Sequence, residues 1–155
     1  MSILNGNISR SILIPERSPF GEPFNELGAI RERGQIMDTA ALINKTTGEE
    51  LLVAAGRGLV GVYRVGIDGK YEQLSSLEIQ AESRQLSICG GFGYLTARAD
   101  GLYVVDLTMP ERPRLAAHVD TLELATGVAT AGQLLAVTNR HMGCELYDIS
   151  DPYHP

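Results

Sequence analysis

An all-β fold made of β-propeller blades is what the amino-acid sequence predicts, and three observations predict it. A segment carrying two prolines returns after 42 residues, so that Asp106, Thr108, Pro110 and Pro113 are matched by Asp148, Ser150, Pro152 and Pro155. The apolar runs between these corners are short, rich in Val, Ile, Leu, Tyr and Thr, and bounded by Gly, Asn and Asp, which is strand-and-turn patterning and not helical patterning. A unit of about 40 to 45 residues with four strands has the size of a propeller blade, a small twisted sheet that buries its faces only against its neighbours. A sandwich of about eight strands would explain the strand content but not the recurrence of one corner. The expectation is therefore of four-stranded antiparallel blades in an incomplete ring of about three.

Residues 1–35 read as a lead-in without repeat character. Ser18 to Glu26 is punctuated by Pro and Gly, while Ile8 to Ile14 reads as a strand able to latch a ring by completing a blade. The first unit, about 36–80, has its apolar runs at Leu51 to Leu59 and Val60 to Val65. Its turns fall at Asn44 to Glu49 and at Asp68-Gly69, the latter a type I′ signal. Arg64 stands where the later units have aspartate, and both prolines are absent. The second unit, about 84–122, has four strands: Gln85 to Cys89, Gly93 to Arg98, Leu102 to Leu107 and Leu115 to Val119. Gly90-Gly91, Ala99-Asp100-Gly101 and the corner from Met109 to Pro113 turn them. The third, about 125–155, turns at Thr130 to Gln133 and stops after its third strand. That edge predicts a partial chain of a longer protein, or chains that close a ring together through unpaired blades.

Composition narrows the function. The chain has 155 residues with 13 Lys and Arg against 19 Asp and Glu, a net charge of −6 that argues against a surface for nucleic acid. No window has the apolar length of a membrane span, and Glu16, Glu22 and Glu26 interrupt the region where a signal segment would lie. A cytoplasmic protein without membrane contact is expected. Cys89 and Cys144, 55 residues apart and without CxxC spacing, read as reduced, mostly buried thiols.

Gly-Leu-Tyr-Val-Val-Asp-Leu-Thr-Met-Pro-Glu-Arg-Pro at 101–113 and Glu-Leu-Tyr-Asp-Ile-Ser-Asp-Pro-Tyr-His-Pro at 145–155 resemble the LVIVD repeat. The resemblance covers 84–155 clearly and 36–83 weakly. It implies a β-propeller of a family often without assigned activity. The chain has no Trp, so the WD signature of other propellers is missing.

One column of residues carries a ligand signal. Arg57, Arg98 and Arg140 follow the second strand of each unit, 41 and 42 residues apart, and His141 adjoins the last. In a propeller that turn opens on the same face as the connections between blades. Guanidinium groups there suit a carboxylate or phosphate, although an arginine in such a turn can equally be solvated or lay its stem over a neighbouring blade. Asp106 and Asp148 read as caps for the N–H groups of the proline corners. No catalytic constellation, metal site or cofactor site is assembled: His118 and His154 lack partners at ligand spacing. The first strands offer Thr39, Ser87 and Thr130, and no ring of acidic or amide residues. The function expected is a non-catalytic scaffold that binds a protein or an anionic small molecule through its blade loops. The alternative is a propeller hydrolase or lyase acting on an anionic small molecule at a central channel.

Overall fold

A computed structural model describes residues 29–30 and 35–155. The expected latch strand at Ile8 to Ile14, and almost all of the lead-in, lie outside the described residues. Within them the chain is all-β, with ten strands in three antiparallel sheets. Sheet 1 has β1 (Ile36–Ile43), β2 (Glu50–Val65) and β3 (Tyr71–Glu82). Sheet 2 has β4 (Gln85–Cys89), β5 (Phe92–Thr96), β6 (Leu102–Asp106) and β7 (Arg114–Val119). Sheet 3 has β8 (Ala125–Ala131), β9 (Leu134–Asn139) and β10 (Gly143–Asp148). In each sheet, strands adjacent in sequence are paired. Among the described residues no helix is long and apolar enough to cross a membrane.

Sheet 2 follows its sequence pattern closely. Gly90 and Gly91 both have positive φ, +63° and +89°, which a two-residue hairpin between Cys89 and Phe92 requires and an L side chain resists. Asp106 and Asp148 cap their corners: each Oδ1 accepts an N–H two residues on, from Thr108 and Ser150, both at 2.9 Å.

Sheet 1 departs from the pattern in two places. The two apolar runs of the first unit form one unbroken strand of 16 residues, β2. Fifteen residues of extended chain would span about 50 Å. Yet Arg64 Nη2 donates to Glu49 Oε2 at 3.1 Å. The run must therefore fold back on itself, and Gly58, at φ +73°, lies near its middle. β1 pairs with the first arm, Glu50 to Gly56, and β3 with the second, Arg57 to Val65, so the sheet has four arms. The second departure is at Asp68-Gly69, where a type I′ turn would need positive φ at both residues. Only Gly69 has it, and the chain closes instead through a wider loop in which Gly66 N–H donates to Lys70 O at 2.8 Å.

The alternation of side chains along a strand gives sheet 2 two apolar faces, and both are covered. Leu86, Leu95, Val105 and Leu107 pack with Leu42, Val53, Val60 and Val62 of sheet 1. Tyr94, Leu102 and Val104, on the opposite face, pack with Leu135 and Val137 of sheet 3. The first strands β1, β4 and β8 stand in a row. Hydrogen bonds tie them: Asp38 Oδ2 accepts Leu86 N–H at 2.8 Å, Gln85 Oε1 accepts Val128 N–H at 3.2 Å, and the Ser87 and Thr130 hydroxyls meet at 2.8 Å.

Candidate functional site

The turns after the second strands lie beside the chain segments that enter the first strands. Arg57 N–H donates to Gln35 O at 3.2 Å and Arg140 N–H to Leu124 O at 3.1 Å. Arg98 makes a two-way bridge to Ala125, donating its N–H at 3.1 Å and accepting from Ala125 N–H at 2.9 Å. Arg98 is also the only non-glycine among the described residues with positive φ, +53°. That conformation is costly for a side chain with a Cβ, and the bridge to Ala125 holds it in place.

The consequence is a cleft of about 340 Å³ lined by Arg84, Arg98, Leu124, Thr126 and Arg140. Three chain segments supply its three guanidinium groups: the connection between sheets 1 and 2, the β5–β6 turn, and the β9–β10 turn. None of the three has an ion-pair partner among the described residues. By contrast Arg57 pairs with Glu82 at 3.0 Å, Arg64 with Glu72 at 2.7 Å and with Glu49, and Arg114 with Asp106 at 2.9 Å. Arginine keeps its charge at any physiological pH, so the cleft is a permanent cationic site in a chain of net charge −6.

Of the four residues singled out in the sequence, the structure brings Arg98 and Arg140 together. Arg57 is exposed and held by Glu82. His141 lies outside the lining, and its backbone N–H donates to Glu123 Oε2 at 2.6 Å. Arg84 was not visible to repeat reading, because its counterparts in the other units are Met37 and Thr126 and form no column. Two buried groups adjoin cleft arginines in the chain: Ser83 Oγ and Asn139 Oδ1 have no hydrogen-bond partner among the described residues.

Beside Thr39, Ser87 and Thr130, the first strands also carry an acid and an amide, Asp38 and Gln85. Both are committed to backbone N–H groups of the next sheet, so neither is poised as a general acid or base. Two carboxyls elsewhere, Asp106 and Glu145, have shifted pKa values and structural partners. Asp106 is buried, which alone would raise its pKa. The Thr108 hydroxyl and N–H, Tyr153 OH and Arg114 outweigh this and hold it at about 2. Glu145 is pulled in the same two directions by burial and by Asn139, Leu122 N–H and Tyr147, and its pKa falls below the usual range. Among the described residues no group of three His, Cys, Asp or Glu could hold a metal ion.

No protein-family model and no curated protein matches the chain. Among solved structures it is similar to the computationally designed Ika4 protein, with a TM-score of 0.61 at 15% identity over 82% of this chain and 74% of that one. It is similar as well to the computationally designed Ika8 protein, with a TM-score of 0.59 at 16% identity over 84% of this chain and 38% of that one. At such identities the likeness is one of fold.

Proposed function

We propose that this chain is a non-catalytic binding module of β-propeller type, built from units akin to the LVIVD repeat. It holds a carboxylate or phosphate group of a partner protein or small molecule in the cleft of Arg84, Arg98 and Arg140. One observation carries the reading: three arginines from separate segments converge without a carboxylate, while Arg57, Arg64 and Arg114 are each neutralised. Paired guanidinium forks bind planar or tetrahedral oxyanions by two-point hydrogen bonds, which a single surface arginine cannot do as selectively. The blade reading is supported by the 42-residue repeat, the row of first strands and the covered faces of sheet 2.

Calorimetric titration with inorganic phosphate and with citrate at low ionic strength tests it. The wild type is expected to bind at least one of them, and Arg98→Gln to weaken binding roughly tenfold or more, the worth of one charge-assisted hydrogen bond. Equal binding by an Arg84→Gln/Arg98→Gln/Arg140→Gln variant, or no binding of either anion by the wild type, would overturn the assignment.

A further inference from the structure

The junctions between sheets follow a rule that can be read past sheet 3. Sheet 2 presents Tyr94, Leu102 and Val104 toward sheet 3, and all three are buried there. Forty-two residues on, the matching positions of sheet 3 are Ala136, Cys144 and Leu146. Leu146 pairs with Ala136 as Val104 pairs with Tyr94. This face points away from sheet 2 and is open: Leu146 is 65% exposed and its neighbour Leu134 47%. Sheet 3 packs on sheet 2 through Val128, Leu135 and Val137. By strand register, the matching positions of sheet 1 are Thr39, Leu52 and Ala54. Those three line an apolar cleft of about 420 Å³ on the outer face of sheet 1, with Ile36, Val65 and Ile30.

The polar links decide which unit fits there. At both internal junctions a side chain at the start of the first strand caps a backbone N–H of the following sheet, Asp38 to Leu86 and Gln85 to Val128. The next position in that series is Gly127, which has no side-chain acceptor to offer. A following unit would need an N–H that requires none. Sheet 1 alone meets the condition: the N–H in question belongs to Thr39, and its own Asp38 Oδ1 already accepts it at 2.9 Å.

We propose that the outer face of sheet 3 docks on the outer face of sheet 1 of a second copy of this chain, head to tail. The contact is heterologous, so one face of each copy meets the other face of the next. Light scattering behind a sizing column, with charge placed on one face at a time, tests it. The wild type is expected at two or more times the monomer mass of 16.7 kDa. Leu146→Arg and Thr39→Arg, both at exposed positions, are each expected at the monomer mass with unchanged far-ultraviolet circular dichroism. Mixed in equal amounts they are expected to form a pair, since one retains an intact sheet 1 face and the other an intact sheet 3 face. A wild type that stays monomeric up to about 100 µM would overturn the proposal. So would single variants that keep the wild-type mass, or a mixture in which no pair forms. If Leu146→Arg misfolds, Leu134→Arg on the same face serves in its place.

Discussion

At the scale of single residues, Asp106 and Arg98 set a role in stability beside the proposed role in binding. Asp106 is 3% exposed and receives the Thr108 hydroxyl at 2.6 Å, Tyr153 OH at 2.8 Å and Arg114 at 2.9 Å. Tyr153 comes from the proline corner of the third unit, so this carboxylate ties two units together. Its folded pKa, about 2, lies below the ordinary 3.8. Its contribution to stability is therefore complete above roughly pH 4 and is lost as the pH falls toward 2. Asp106→Asn is expected to cost about 1–3 kcal/mol at neutral pH by chemical denaturation, and to flatten the acid limb of the stability profile. Arg98 is the opposite case. Its left-handed backbone costs the fold about 1 kcal/mol, which glycine would relieve. We expect Arg98→Gly to keep or raise the melting temperature while weakening anion binding at least tenfold. A clear fall in melting temperature would mean that Arg98 is there for packing.

At the scale of elements, the second unit was legible almost residue by residue: β4 and the start of β6 stand where strand runs and turn glycines put them, and β5 and β7 start one residue early. Its signals are local, short apolar runs with glycine or proline at each end, and local signals survive in sequence. The first unit was less legible because Gly56 and Arg57 stay paired, to β1 and β3, right up to the fold-back at Gly58, so β2 runs on without a loop between its arms. The third unit turns at Gly132, inside the expected Thr130 to Gln133. The contacts between units were not legible at all. Asp38 and Gln85 act on a neighbouring sheet 43 to 48 residues away, and nothing in the repeat marks an acceptor whose donor is another unit's backbone. The same reason hid Arg84, which reaches the cleft from a connection and not from the arginine column. Gln85→Ala tests the junction: it is expected to cost about 1 kcal/mol and to speed hydrogen exchange at the Val128 amide with little effect at Leu86. Equal acceleration at both amides would show general loosening instead.

At the scale of the whole molecule, an acidic chain keeps three arginines without ion-pair partners at one cleft, while carboxylates hold Arg57, Arg64 and Arg114. Repeat folds favour this arrangement, because each unit repeats its turn on the same side and small differences between units decide which copies of a side chain are free. Here Glu82 takes Arg57, whereas the nearby Glu123 carboxylate is engaged by the His141 backbone N–H and neither Arg98 nor Arg140 has an ion-pair partner among the described residues. If the cleft binds anions as proposed, the attraction should reach beyond contact distance at low salt and fade as ionic strength rises past about 0.1 M, where the Debye length is about 10 Å. The most direct test of this account is a titration of the intact chain with inorganic phosphate, following the arginine side-chain Nε–H resonances by NMR. Arg84, Arg98 and Arg140 should shift together along one saturable curve while Arg57, Arg64 and Arg114 stay in place. Shifts spread evenly over all six, or confined to the paired three, would contradict it.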